Sequence, residues 1–188
     1  MKRIVAAVLA VVMLVALSGC ISTDNNIDRY GADVVKHGAM AFMPTLDSLG
    51  AYTDVDYFIR MDEGAFPCYA MRLIVSYGEA EFSAEVKRLE TAYIYLQEPQ
   101  RLDYSDEAYY TMPLTEFSAA GFDFRVAVFE NTVYPKNFGM VGISQATHKM
   151  AYLWFYSPDH DYICEADEDK AAQMTEFLNY HFEMDKLG

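Results

Sequence analysis

Residues 69–96 read YAMRLIVSYGEAEFSAEVKRLETAYIYL, and the spacing of the apolar side chains changes once within them. Up to Tyr77, large apolar residues fall on every second position, which is typical of a β-strand with a buried face. Beyond Gly78 the apolar positions are spaced by four, three, four and three, the pattern of one helix face: Phe82, Val86, Leu89, Tyr93 and Leu96. The stretch therefore predicts a strand followed by an amphipathic helix over 79–96.

The same two patterns recur along the rest of the chain. They predict a second amphipathic helix at 167–183 and further strands at 55–59, 122–128, 138–144 and 150–156. Residues 100–117 fit neither pattern clearly. The order of elements lacks regular β-α-β alternation, and short connections between the later strands favour antiparallel hairpins. We therefore predict an α+β fold, an antiparallel sheet of five or six strands with two amphipathic helices packed mainly on one face.

The composition excludes two classes of protein. The chain has 188 residues, of which 53% are hydrophobic and 15% aromatic, and its formal net charge is −14. A disordered chain is poorer in aromatic residues than this one. A nucleic-acid-binding protein presents a basic surface to the phosphates, which an acidic chain does not favour. We therefore expect a folded domain and no nucleic acid among its partners.

The first twenty residues have the pattern of a targeting signal. Two basic residues precede the apolar run 4–17, and the segment ends in Leu17-Ser18-Gly19-Cys20. The run is too short to span a bilayer as a helix. With this ending, residues 1–20 resemble the lipobox signal peptide of bacterial membrane lipoproteins. The resemblance implies cleavage between Gly19 and Cys20 and attachment of a diacylglycerol to the Cys20 thiol, with palmitate as a typical acyl chain.

The resemblance also implies a division of the chain. We expect a lipoprotein signal peptide over 1–19, a lipidated N-terminus and tether over 20–45, and a single α+β domain over 46–188. The later part of the tether is apolar, and its docking on the domain is the alternative to a free segment. The protein is then held at the cell membrane by the lipid on Cys20, on the extracytoplasmic face. Residues from Tyr134 to Tyr162 also resemble small lipoproteins of gut clostridia, a resemblance that transfers no functional residue.

Two cysteines, Cys68 and Cys164, remain beyond the signal segment. An even pair outside the cytoplasm is a disulfide candidate. The alternative is a pair of thiols that pack as small apolar residues, and both interpretations stay open. Neither cysteine has a second Cys or His at the spacing of a metal site, so no metal is expected.

Three arginines form the most unusual pattern in the chain. Arg60, Arg72 and Arg125 each lie on the opposite parity to the apolar residues of their predicted strands. If the strands are neighbours, one polar sheet face presents three guanidinium groups, which bind carboxylate or phosphate. The alternative, which we favour, is pairing across the strands with Asp56 and Asp123.

Three short motifs approach catalytic or metal-binding signatures, and each has a structural explanation. Residues 142–146 (GISQA) are close to the G-x-S-x-G of a nucleophile elbow, but a strand is predicted to follow, so we expect a hairpin. Asp159-His160-Asp161 is expected to be a surface turn. Asp54 and Asp56 begin like a calcium loop that lacks the required glycine and glutamate.

The sequence predicts a location more firmly than an activity. We expect a membrane-tethered, non-enzymatic interaction module for an envelope protein or polymer, with Tyr104, Tyr109 and Tyr110 as candidate exposed rings. The alternative is a small-ligand or anion-binding domain that uses the arginine face. No catalytic constellation or cofactor motif is found. A partner module predicts an exposed apolar or tyrosine patch, whereas a ligand binder predicts a concave pocket with converging polar groups.

Overall fold

The computed structural model describes residues 21–104 and 107–187. Gly19 and Cys20, where cleavage and lipidation are predicted, lie outside this part. The α-helices are α1 (Tyr30–His37), α2 (Glu79–Ala92) and α3 (Lys170–Phe182), and short 3-10 helices lie at Ile27–Arg29, Ala39–Ala41, Leu46–Ser48 and Met184–Lys186. The strands are β1 (Ile21–Asp24), β2 (Tyr52–Asp62), β3 (Cys68–Tyr77), β4 (Ile94–Tyr95), β5 (Gln100–Tyr104), β6 (Glu107–Met112), β7 (Glu116–Ala119), β8 (Phe122–Val128), β9 (Asn137–Ser144), β10 (Lys149–Tyr156) and β11 (Cys164–Glu165).

The strands form two antiparallel sheets in the described part of the chain. The large sheet has eight strands in the order β1-β2-β3-β10-β9-β8-β4, with β7 also paired to β8. The small sheet has the order β11-β6-β5. The α+β class and the antiparallel sheet are confirmed, and the apolar run 150–156 is a central strand as predicted. The expected five or six strands are too few, because strands as short as β1, β4 and β7 carry no readable period.

Both faces of the large sheet are covered, which corrects the prediction that the two helices pack mainly on one face. Helix α2 places Phe82 and Leu89 in one buried cluster, on what we call the α2 face. Helix α3 places Met174 and Leu178 in a second cluster on the opposite side, the α3 face. Helix α1 belongs with the α2 face and is a third α-helix that the sequence prediction did not contain.

The reason is that the central strands are apolar on both sides. In β3, Met71 and Leu73 point into the α2 face, whereas Ala70 and Ile74 point into the α3 face. Alternation along one strand separates its two faces, but it does not say which of them matches a given face of the next strand. A strand buried on both sides needs a covering layer on each.

Residues 21–45, which we predicted to be a tether, are folded onto the sheet. Strand β1 pairs with the last residues of β2, from Ile21 opposite Asp62 to Asp24 opposite Ile59. Helix α1 buries Tyr30, and its Asp33 carboxylate accepts a 3.0 Å hydrogen bond from the hydroxyl of Tyr57. These contacts leave no flexible segment between Ile21 and the domain.

Phe42 shows how tightly this N-terminal segment is held. Its ring is buried on the α2 face against the backbone of Gly139 in β9. A Cβ atom placed on Gly139 would stand 2.7 Å from the ring carbons, so only glycine leaves room for the ring. The carbonyl oxygen of Phe42 also accepts a 3.2 Å hydrogen bond from the hydroxyl of Tyr93. The segment is therefore part of the core.

The region 100–117, which the sequence left open, supplies β5, β6 and β7. Met112, at the end of β6, is fully buried in the cluster of the α3 face. The small sheet thus continues into the covering layer on that side. None of the helices within residues 21–104 and 107–187 is both long enough and apolar enough to span a membrane.

Candidate functional site

A row of polar residues crosses the α3 face at one end of the large sheet. Asp54 of β2 is paired with Ser76 of β3, Ser76 with Lys149 of β10, and Lys149 with Ser144 of β9. Because residues paired across neighbouring strands point to the same face, these four side chains form one line. We call this set the polar row.

The polar row is the floor of a cleft with a volume of about 520 Å³. Helix α3 ends at Phe182 and leaves this end of the face open. One wall of the cleft comes from the β7–β8 turn, where Ala120 and Gly121 both have positive φ. The opposite wall comes from the C-terminal residues Lys186 and Leu187. The cleft falls within the size range of small-ligand sites, although its lining is more polar than is usual for them.

Arg72 lies at the inner side of this cleft and is only 6% exposed. One terminal nitrogen, Nη1, donates to the carbonyl oxygens of Phe182 and Glu183 at 2.7 and 3.2 Å. The other, Nη2, donates to the Asp56 carboxylate at 2.6 Å. The guanidinium therefore holds the C-terminal end of α3, where the helix dipole favours a positive charge. Its Nε is buried without a hydrogen-bond partner in the described structure.

Charges of both signs line the cleft. Asp56 is paired with Arg72, and Lys186 is paired with Glu183 at 2.8 Å. Lys149 and Asp54 have no partner of opposite charge within 4.0 Å among the described residues. The polar row thus offers one ammonium and one carboxylate, with hydroxyl groups between and beside them. Such a site suits a ligand that carries both charges.

The three arginines predicted as a ligand-binding set do not converge, which corrects that prediction. Arg60 and Arg72 lie on the α3 face, but Arg125 is paired with Val141, whose side chain is in the α2 cluster. The apolar residues of β8 point to the α3 face. Arg125, which alternates with them, therefore points to the α2 face, whereas Arg72 of β3 points to the α3 face. Of the predicted ion pairs, Arg72–Asp56 is present.

The other two arginines rest on aromatic rings. The guanidinium carbon of Arg60 lies 4.4 Å from the ring centre of Tyr180, whose carbonyl oxygen also accepts a 3.2 Å hydrogen bond from Arg60. The guanidinium of Arg125 lies 3.7 Å from the ring centre of Tyr95. These cation–π contacts use the guanidinium faces in packing the protein's own surface.

Ser144 and its neighbours form a hairpin, as predicted. Strand β9 ends at Ser144, and β10 begins at Lys149 after a short turn. A nucleophile elbow requires a helix at this point. The Ser144 side chain is buried, and its hydroxyl accepts a 2.8 Å hydrogen bond from the hydroxyl of Thr147. The geometry is that of a hydrogen-bonded turn at the edge of the cleft.

Asp159-His160-Asp161 lies at a turn with both aspartates exposed, as predicted, but the ring of His160 turns inward beside His181 of α3. The two ring centres are 6.1 Å apart, and both rings pack on Phe155 and Phe177. Burial lowers the pKa of His181 to about 3, and His160 and Arg60 act in the same direction. Burial also lowers the pKa of His160. The sequence contained no spacing that would have paired these residues.

A second buried polar cluster fastens α2 to the sheet. The carboxylate of Glu85 accepts two hydrogen bonds from the Arg88 guanidinium, at 2.7 and 2.5 Å, and one from the hydroxyl of Tyr152 at 2.9 Å. The paired carboxylate raises the pKa of Arg88 above its usual value. Every oxygen of this Glu is therefore used within the fold, which is the arrangement expected of a structural pair.

Cys68 and Cys164 are both free thiols in the structure, which corrects the possible disulfide. Cys68 opens β3 of the large sheet, whereas Cys164 is fully buried in β11 of the small sheet. Burial raises the pKa of the Cys68 thiol to about 11 and also raises that of Cys164. The second alternative from the sequence, two buried thiols, describes them better.

The small sheet carries a pair of tyrosines, of which Tyr162 is exposed and Tyr109 is half-buried. The rings of Tyr109 in β6 and Tyr162 lie 4.7 Å apart, and Tyr162 is 43% exposed. The ring of Tyr110 is covered by the Lys170 ammonium at 4.4 Å from its centre. Of the predicted exposed rings, Tyr109 therefore belongs to an aromatic surface, whereas Tyr110 lies under a cation.

Within residues 21–104 and 107–187, no three His, Cys, Asp or Glu side chains are grouped as metal ligands. Sequence reasoning missed Ser76, Lys149 and Lys186 as members of the cleft. The signal that finds them is the strand register, because each is unremarkable in its own strand.

Comparison of the chain with protein-family models, with curated proteins and with solved structures found no match in any of the three.

Proposed function

We propose that this protein is a membrane-tethered extracytoplasmic lipoprotein that binds a small zwitterionic ligand in the cleft above the polar row. The observation that carries the proposal is the line Asp54–Ser76–Lys149–Ser144, which places converging polar groups at the open end of the α3 face. The membrane location rests on the lipobox ending at Cys20.

The ligand class follows from the two unpaired charges of the row. Asp54 and Lys149 lie on strands separated by one other strand, so their backbones are about 10 Å apart. Their side chains reach into the same space above Ser76. A ligand carboxylate binds Lys149, a ligand amine binds Asp54, and the hydroxyls of Ser76 and Thr147 complete the hydrogen bonding. Free amino acids and short peptides have this chemistry.

The proposal contains no catalytic step. The Ser144 hydroxyl is engaged by Thr147, and within the described residues no imidazole or carboxylate is hydrogen-bonded to it. A nucleophilic serine needs a base at hydrogen-bond distance. Binding, without turnover, is therefore the proposed role of the cleft.

Calorimetric titration tests the ligand class. The probes are L-alanine, L-glutamate and D-alanyl-D-alanine, with acetate and methylamine as ligands of a single charge. We expect at least one zwitterion to bind, and acetate and methylamine to bind more weakly than it does. Lys149→Ala is expected to weaken zwitterion binding by at least about tenfold, which corresponds to one charge-assisted hydrogen bond.

Lys87→Ala is the matched control, because Lys87 is an exposed lysine of α2 on the other face of the sheet. It is expected to leave binding unchanged. Absence of binding for all three zwitterions, or equal binding by the Lys149→Ala variant, overturns the ligand proposal.

A second candidate is an interaction module for an envelope protein or polymer, and the tyrosine pair Tyr109–Tyr162, with Tyr162 exposed, favours it. Exposed aromatic rings stack on sugars and anchor protein interfaces. Sedimentation with purified peptidoglycan tests this candidate. Tyr162→Ala is expected to reduce the bound fraction, whereas Tyr180→Ala, an exposed tyrosine of α3, is expected to leave it unchanged. Equal binding by both variants rejects the tyrosine pair as the contact surface.

A further inference from the structure

The end of the large sheet opposite the polar row collects exposed apolar side chains. Strand pairing links Ile21 to Asp62 at the tip of the β2–β3 hairpin, where Phe66 lies in the connecting loop. Ile21 and Phe66 are 52% and 63% exposed. Both are large apolar side chains at the same edge of the molecule.

The ladder continues across this end to a third exposed side chain. Met61 is paired with Tyr69, Tyr69 with Tyr156, and Tyr156 with Asn137. Asn137 forms an isolated bridge with Val133, which is more than half exposed. The β1 start, the β2–β3 loop and the β8–β9 loop therefore share one end of the sheet, which we call the anchor end.

Helix α1 approaches the anchor end with its C-terminus. The Lys36 ammonium lies 3.7 Å from the Glu63 carboxylate in the β2–β3 loop, and the His37 ring packs on Tyr69 at 4.4 Å. At the far side, Lys136 lies 3.3 Å from Asp161. Each lysine is matched by an acid, but Asp62 and Glu130 at this end have no partner of opposite charge within 4.0 Å among the described residues. The anchor end therefore has a small acidic excess, so that apolar contact, and not charge attraction, has to hold it on a bilayer.

The place of Cys20 in the sequence indicates what covers the anchor end. Cys20 directly precedes Ile21 in the sequence, so a single peptide bond joins the residue predicted to carry the lipid to the first residue of β1. Ile21 is already hydrogen-bonded into the sheet, which leaves no spacer between the acylated residue and the domain. A lipid on Cys20 therefore brings the β2–β3 loop to the bilayer surface, because the two are neighbours in the ladder.

We propose that the anchor end docks on the outer leaflet of the bilayer, with Phe66 entering the headgroup region beside the lipid chains and Val133 at its rim. The proposal rests on lipidation of Cys20, which is part of the proposed function. Burial of an exposed phenylalanine contributes favourable free energy in proportion to the apolar area removed from water. One inserted ring together with the acyl chains fixes the orientation of the domain.

Tryptophan fluorescence in vesicles tests the docking. Phe66→Trp and the control Tyr52→Trp place an indole at opposite ends of the same hairpin, and both native side chains are exposed. Each full chain is expressed in a bacterium that processes lipoproteins, purified in detergent and reconstituted in vesicles of brominated phosphatidylcholine with phosphatidylglycerol. The parent protein, whose single Trp154 is buried, supplies the baseline.

We expect bromine to quench the added emission of Phe66→Trp strongly and that of Tyr52→Trp hardly at all. Val133→Trp is expected to give intermediate quenching and serves as a second reporter. Equal quenching of the Phe66→Trp and Tyr52→Trp variants overturns the docking. A blue shift of Phe66→Trp that depends on protein concentration and not on bromine indicates a second copy of the chain on this surface, and also overturns it.

Flotation of the vesicles separates this proposal from the one on which it rests. If the protein does not float with the vesicles, lipidation at Cys20 is wrong. If it floats but the Phe66→Trp variant is not quenched, the anchor is correct and the docking of this end is wrong.

Discussion

The ring of Phe42 lies so close to the backbone of Gly139 that a Cβ atom on Gly139 would stand 2.7 Å from three of its carbons. We expect Gly139→Ala to lower the free energy of unfolding by about 1–3 kcal/mol, the usual cost of overpacking a core. Urea denaturation measures the change. Gly50→Ala is the control, since no atom lies within 4 Å of its added Cβ. If both variants unfold at the same urea concentration, the contact is not as tight as described.

Replacement of Phe42 shows whether the N-terminal segment is part of the core. Phe42→Ala is expected to cost about 3–5 kcal/mol, because a buried ring is removed and a cavity remains. In the Phe42→Ala/Gly139→Ala double variant the Cβ has space, so we expect less than the sum of the two single effects. Additive effects in this cycle would contradict direct packing of the ring on Gly139.

The inward-facing histidines predict a loss of stability in acid. The lowered pKa of His181, about 3, means that the folded protein keeps this ring neutral at a pH where the unfolded chain protonates it. The contribution of neutral His181 to the free energy of unfolding is therefore fully present above the pKa of the unfolded chain, about 6.5, and decreases as the pH falls below that value. From pH 6.5 to pH 5 the expected loss from one such group is about 2 kcal/mol.

His181→Phe, which replaces the ring among Phe155 and Phe177, is expected to remove this contribution. Urea denaturation of the parent and the variant at pH 6.5 and pH 5 measures how much the free energy of unfolding of each protein changes with pH. An equal change with pH in both proteins would show that His181 is not held neutral in the folded state.

Arg72 is expected to matter for stability more than its ion-pair partner does. Arg72→Met removes the donor to the carbonyl oxygens of Phe182 and Glu183 and should cost about 2–3 kcal/mol. Asp56→Asn should cost less than about 1 kcal/mol, because the Asp56 side chain is half exposed. Thermal unfolding compares the two variants. An equal loss in both would mean that the ion pair, rather than the helix end, is the main contact of Arg72.

The number of free thiols can be measured with a thiol reagent. We expect both Cys68 and Cys164 to react with a thiol reagent after unfolding without reductant, because the structure leaves them unbonded. In the folded protein the reaction should be slow, since burial raises the pKa of both thiols. A protein that yields neither thiol until it is reduced carries the disulfide after all.

The lipid anchor is tested in a bacterium that processes lipoproteins. Cys20→Ala is expected to abolish palmitate labelling and to release the protein from the membrane fraction. Cys68→Ala, which keeps Cys20, should remain labelled and bound. A Cys20→Ala protein that is still labelled and processed would exclude lipidation at this residue.

The sequence predicted the positions of the strands and helices better than it predicted which face of the sheet each one covers. The strands around 69–77, 122–128 and 150–156 and the C-terminal helix lie where their periods predict them. The helix predicted over 79–96 begins at Glu79 but ends at Ala92, because residues 94–95 pair with β8 as strand β4. Alternation within a strand depends on neighbouring side chains only, so it is readable locally. The matching of faces depends on register, which placed Arg125 and Arg72 on opposite sides of the sheet.

The candidate site was less predictable for the same reason. Asp54 and Ser144 drew notice separately, as parts of a calcium-like and an elbow-like motif. Their meeting through Ser76 and Lys149 depends on four strands in fixed register, which no single motif encodes. The N-terminal segment was misjudged because polar residues after a signal peptide are typical of tethers, whereas pairing with β2 is a long-range event.

Strand β2 runs from the polar row to the anchor end. Asp54 of the polar row and Asp62, the partner of Ile21, are eight residues apart, which corresponds to about 26 Å of extended chain. On the proposed anchoring, the cleft opens outward at a fixed stand-off from the bilayer. A lipoprotein on a long flexible tether can move its binding site through a volume above the membrane. Here the cleft is confined to a thin layer parallel to the membrane, so the ligand has to diffuse to that layer.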